Sequence, residues 1–149
     1  MDTSQIEARA ELIIRKSVSD VYRSFIYPAL TTRFWFSKSS GQLTPNADVQ
    51  WDWAAQPSAI VHVKAIEENH HIIIEWHDTE TLVVRFQSLE NNQTLVTMRD
   101  WGFSGSEKEV VERALATTNE FALVLAGLKV YLEHGLQLNL LANQAQNPS

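Results

Sequence analysis

Apolar and polar residues alternate from Ile6 to Ile14. Ile6, Ala8, Ala10, Leu12 and Ile14 share one parity, and Glu7, Arg9, Glu11 and Ile13 the other. A period of two predicts a half-buried strand. The period then changes. Ser17 precedes Val18, Asp20 falls in the first turn, and Val18, Val21, Tyr22 and Phe25 recur at helical spacing, which predicts a short helix over 18–27. Pro28 stops that helix and starts a second short helical piece. The run Phe34-Trp35-Phe36 follows it.

Between Ser37 and Trp101 the chain reads as a meander. Gly41, Pro45-Asn46, Gln56-Pro57, Glu68-Asn69, His77-Asp78 and Asn91-Asn92 are turn signals at nearly regular intervals. The segments between them alternate. Val49, Trp51 and Trp53 share a face, as do Ile60, His62, Lys64 and Ile66. Ile72, Ile74 and Trp76 come next, then Leu82, Val84 and Phe86, and finally Leu95, Thr97, Arg99 and Trp101. About six strands lie here, about seven with the first.

Gly102 to Gly105 turns the chain into a long helix over Glu107 to His134. Ser106 with Glu109 three residues on makes a capping box, and Gly135 stands where a left-handed C-terminal residue is wanted. Val111, Ala114, Leu115, Thr118, Phe121, Ala122, Leu125, Leu128 and Leu132 recur at helical spacing and predict one buried face. Such a helix spans roughly 40 Å. From Phe121 to Leu132 it is apolar nearly all round, as expected of a helix gripped by a curved sheet or bordering a cavity. The predicted fold class is therefore α+β. A strongly twisted antiparallel sheet of about seven strands curls around the long C-terminal helix, with two short helices after the first strand. One domain over 1–149 is expected, with its core over 6–135 and a polar, frayed tail over 142–149.

Composition narrows the function classes. A net charge of −6 with scattered Lys and Arg disfavours nucleic acid and anionic membrane surfaces as partners. The absence of cysteine excludes disulfides, thiol catalysis and cysteine-bound zinc. Met1 to Glu11 has no apolar segment of the secretory kind. Glu120, Lys129 and Glu133 interrupt the long helix, so no membrane span is expected. The expected location is cytoplasmic. No nucleophile elbow and no glycine-rich phosphate loop is present, and no cofactor is expected.

In this order, several stretches resemble a known family. Ile13-Ile14-Arg15-Lys16-Ser17-Val18 runs into Val21-Tyr22. Phe34-Trp35-Phe36, Gly41, Trp51, Glu75-Trp76 and Thr94-Leu95-Val96-Thr97-Met98 follow. Leu125-Ala126-Gly127-Leu128-Lys129-Val130-Tyr131-Leu132-Glu133-His134-Gly135 closes the pattern. The chain resembles the SRPBCC superfamily, the helix-grip proteins similar to START domains and the birch pollen allergen. Its nearest branch is the AHSA-like one, named for the activator of the heat-shock-protein ATPase. The resemblance covers about Glu7 to Gly135. The Trp that usually opens the family's last helix is replaced by Asn119-Glu120-Phe121, with Phe121 as the stand-in. The resemblance implies a cavity between sheet and helix, often holding an apolar ligand. It implies no shared reaction.

The expected ligand-binding residues are Trp35, Trp51, Trp53, Trp76, Phe86, Arg99, Trp101, Phe121 and Leu125. Aromatic side chains bind flat apolar molecules through large contact area; for any single Trp, the plainer account is core packing. Arg99 is read either as a buried cation that orients a ligand carboxylate or phenolate, or, more plainly, as a salt-bridge partner of Glu75 or Asp100 or an exposed side chain. A register slip of one residue exchanges these readings. The histidines are poorly spaced for a metal, and His-based acid–base catalysis is disfavoured. No catalytic and no metal-binding residue is assigned. The leading expectation is a binding protein for an apolar or aromatic small molecule or lipid. A cyclase/aromatase-type enzyme using Arg99 or His62 in the same cavity is the first alternative. A chaperone ATPase regulator is the second, and a homodimer is also open.

Overall fold

The computed structural model describes residues 2–141; the tail expected over 142–149 lies outside them. In chain order the elements are β1 (Glu7–Ile14), α1 (Val18–Ile26), α2 (Pro28–Thr31), β2 (Lys38–Ser39), β3 (Asp48–Asp52), β4 (Ala59–Glu67), β5 (His71–Trp76), β6 (Glu80–Leu89), β7 (Gln93–Trp101) and α3 (Glu107–His134). The seven strands form one antiparallel sheet in the order β1-β7-β6-β5-β4-β3-β2. This is the α+β arrangement that the periodicity predicts and the helix-grip fold that the resemblance implies.

Local chemistry sets the element ends. Ser17 Oγ accepts from the Asp20 N–H and starts α1. Ser106 and Glu109 form the reciprocal capping box of α3 (3.2 and 3.0 Å), and Gly135 ends it at φ 69°. Asn46, Asn69, His77, Asp78, Asn91 and Asn92 all take positive φ, so four of the predicted turns carry left-handed residues. Gly102, at φ 92°, lies so close to the 77–79 turn that an added Cβ would stand 2.2 Å from the Thr79 carbonyl oxygen.

α3 runs along β1 and closes the sheet edge there. Lys129 Nζ donates to the Ile13 carbonyl (2.7 Å). The N–H groups of Arg9 and Arg15 donate to Thr118 Oγ1 (3.3 Å) and Glu133 Oε2 (2.9 Å). The strand's unpaired backbone groups thus bond helix side chains, which blunts the edge. At the other edge β2 is only two residues long. By length and composition α3 could cross a membrane. Here Phe121, Val124, Leu125 and Leu128 are fully buried in the core.

Three face assignments differ from the sequence reading. On α3 the buried seam is Val110, Ala114, Phe121, Val124, Leu125 and Leu128, while Leu115 is 67% exposed and Ala122 is exposed. The start of the seam is shifted by one residue because Val110 and Val111 are equally apolar and only one can face the sheet. On β4 a register irregularity between Val63 and Ala65 breaks the alternation. Ala59, Val61 and Val63 point inward and Ile60 is 58% exposed, whereas Ile66 packs on the core. On β7 the inward residues are Thr94, Val96, Met98 and Asp100. The pairs Val96↔Phe86, Met98↔Val84 and Asp100↔Leu82 fix that parity, so Leu95, Thr97, Arg99 and Trp101 lie on the outer face.

Candidate functional site

Five of the nine expected ligand-binding residues meet in one aromatic cluster. Trp35 contacts Trp51 (4.9 Å between centroids), Trp76 (6.3 Å) and Phe121 (6.4 Å), and Trp51 contacts Trp53 (6.3 Å) and Trp76 (6.0 Å). Phe36 stacks on Trp51 at 4.5 Å. Phe86 joins through Phe25, and Leu125 is buried in the same core. Arg99 and Trp101 do not join it. On the outer face Arg99 donates to Glu7 Oε2 (2.8 and 3.1 Å) and lies 5.2 Å from the Trp101 ring centroid. Neither Glu75 nor Asp100 is its partner. His62 is on the outer face too, 2.8 Å from Asp48 Oδ1.

The space between sheet and helix is occupied by Phe86, Val96, Met98, Phe121 and Leu125, all buried. The largest hollow, an open one of about 450 Å³, lies over the outer side of β4 and β5 beside Ile60, His62, Glu75 and His77. Three more lie at the mouth of the grip. A cleft of about 330 Å³ is bounded by Trp53 and the 56–58 loop, by Trp76, His77 and Glu80 at the β5–β6 turn, and by Arg113, Thr117 and Glu120 of α3. Two smaller hollows adjoin it. One of about 240 Å³ reaches Phe34 and the segment around Leu141, and one of about 220 Å³ reaches Ala116 and Asn119. Gln56 borders all three.

Carboxyl groups from β6 and α3 line this cleft, and one from β7 is buried behind them. Glu80 begins β6 at inward parity and is 5% exposed. Its Oε2 accepts from Arg113 at 2.7 Å. Asp100, at the end of β7, is 0% exposed, and its Oδ1 accepts from Trp76 Nε1 at 3.0 Å. Glu120 accepts from Trp35 Nε1 at 3.2 Å. Burial raises the Asp100 carboxyl to about 9, with the hydrogen bond to Glu80 and the Glu80 charge adding to it. No hydroxyl or N–H partner reaches Asp100 Oδ2 or Glu80 Oε1. One proton held between the two carboxyls accounts for both atoms. Burial also raises the Glu120 carboxyl, against the pull of Trp35 and Arg113. Burial lowers the His77 imidazole, and its ring lies 4.5 Å from that of Trp76. Trp53 Nε1 is buried without a partner. Among the described residues no three His, Asp or Glu side chains are grouped to hold a metal ion.

Sequence reading missed Gln56, Glu80, Asp100, Arg113, Thr117 and Glu120. Two had a signal. Glu80 shares the parity of Leu82, Val84 and Phe86, and Asp100 that of Val96 and Met98. A carboxyl on an apolar parity is either mispredicted or buried for a reason.

Comparison with known proteins places the chain in a family: it belongs to the family described as "Activator of Hsp90 ATPase homolog 1-like protein", whose model matches residues 15–133. No curated protein matches the chain. Solved structures with the same fold include a protein from Staphylococcus saprophyticus (21% identity, 89% of this chain and 96% of that one, TM-score 0.76). The Aha1 dimer from Colwellia psychrerythraea is 14% identical, with 88% and 98% covered and a TM-score of 0.76. An HSP90 activator from Plasmodium falciparum is 17% identical, with 85% and 96% covered and a TM-score of 0.68. At these identities the likeness is one of fold.

Proposed function

We propose that this chain is a binding protein whose recognition site is the tryptophan-lined cleft at the mouth of the grip, and that it takes a small molecule with an aromatic or apolar body. The observation that carries this reading is the pairing of Trp53 and Trp76 with convergent polar groups around one concavity. Ligand sites combine large apolar contact with a few placed polar atoms. The catalytic alternative loses its named residues, because Arg99 and His62 face away from the cleft. Native mass spectrometry of the purified protein, beside a denatured control, tests the reading. A retained mass that vanishes on denaturation, and is lost in Trp53→Ala, supports it. A retained mass that survives Trp53→Ala and Trp76→Ala together overturns the site.

A second reading follows from family membership. The chain acts as a regulator of an Hsp90-class chaperone ATPase. Stimulation of the ATPase of the Hsp90-class chaperone from the same organism by stoichiometric protein is the expected result. Unchanged turnover at saturating protein refutes it.

A further inference from the structure

Resting on that cleft, we infer a ligand class: the arrangement of Glu80, Glu120, Trp53 and Trp76 fits a small organic ammonium, a primary or secondary amine on an aromatic or apolar body. Charge balance is the first argument. Glu80 and Glu120 line the cleft, and among the described residues Arg113 is the only Lys or Arg that does. Arg113 is already engaged by Glu80 at 2.7 Å, and its side chain is 50% exposed. Asp100 stays neutral behind them through the proton it shares with Glu80. The cleft therefore presents two carboxyl groups to one guanidinium that is already paired. A ligand cation finds a carboxyl with no basic partner in Glu120; a ligand anion finds no free cation.

Placement is the second argument. Glu80 is almost wholly buried and still borders the cleft, so its charge acts through little water. Glu120 is held by Trp35 Nε1, which aims its carboxyl along the aromatic cluster rather than into solvent. Trp76 and Trp53 add ring surface, which attracts a cation by its quadrupole when water is excluded. Burial pushes the Glu120 carboxyl up against the pull of Trp35 and Arg113, and a bound ammonium would add to that pull.

Three probes of matched shape test this: 2-phenylethylammonium, 2-phenylethanol and 3-phenylpropanoate. Each is titrated at pH 7.5 into 15N-labelled protein, reading the Trp53 indole N–H resonance. The ammonium is expected to bind about tenfold tighter than the alcohol, and the propanoate no tighter than the alcohol. Glu120→Gln keeps an acceptor for Trp35 and is expected to erase the ammonium preference while the alcohol binds as before. Glu112→Gln removes an exposed charge from the same helix and is expected to change nothing. Equal binding of all three probes, or a preference for the propanoate, overturns the cation inference and leaves the cleft standing. Failure of every probe to move the Trp53 resonance at millimolar concentration overturns both. The wild-type comparison decides the matter even if the Gln variant folds poorly.

Discussion

Replacing Asp100 by Asn tests the buried carboxyl pair directly. The wild-type carboxyl sits at about 9 in the folded protein and at 3.8 in an ordinary setting. The folded value is the higher one. Between pH 3.8 and 9 the folded protein keeps a proton that the unfolded chain has released. The group's contribution to stability is full below 3.8 and declines as pH rises towards 9. At about 1.4 kcal/mol per pH unit, holding that proton at pH 7 costs up to about 4 kcal/mol. Asparagine carries no such cost. Its side-chain oxygen can accept from Trp76 Nε1, and its amide can donate to Glu80 Oε1, so both bonds of the native side chain survive. Asp100→Asn is therefore expected to be more stable at pH 7 by about 2–4 kcal/mol. Its stability should also lack about 2–3 kcal/mol of the wild-type decline between pH 6 and 8. The assay is urea unfolding followed by tryptophan fluorescence at several pH values. His77, lowered by burial, titrates with the opposite sign in the acid range, and it cancels in the difference between the two proteins. If the two pH profiles run parallel with no gain at pH 7, Asp100 is ionised in the folded protein and the shared proton does not exist.

Two further substitutions test the packing. Phe121→Ala should cost about 3–5 kcal/mol in denaturant unfolding, because a fully buried ring against Trp35 leaves a cavity, while Leu115→Ala should change stability by less than about 0.5 kcal/mol. A large loss at Leu115 would mean that the helix seam is misplaced. Gly102→Ala should destabilise by about 2 kcal/mol or more, since its Cβ meets the Thr79 carbonyl and its φ disfavours a side chain; a near-neutral result would contradict the close approach of β7 to the 77–79 turn.

What the sequence made legible was local. A capping box, a left-handed glycine and Asn-rich turns are written in neighbouring residues, and the ends of α3 fall at Glu107 and His134, where those signals put them. What it hid depends on register. On β7 both parities carry large apolar residues, Leu95 and Trp101 on one, Val96 and Met98 on the other, so alternation alone cannot choose between them. Pairing with Phe86 and Val84 chooses. That choice reverses the place of Arg99, which goes outward to Glu7, and of Asp100, which goes inward to Trp76. On β4 the irregularity near Val63 lets Ile60 and Ile66 share a parity and not a face. The cleft is harder still to read, because its carboxyls come from the start of β6 and the middle of α3, with the Asp100 carboxyl from the end of β7 buried behind them, and they meet only when the sheet closes on the helix. The usable signal is the exception to the pattern. Glu80 and Asp100 each occupy a position that its own strand reserves for apolar side chains. A fold that buries two carboxyls side by side must also hold a proton or a counter-charge there, and Arg113 and the shared proton are how this chain does it.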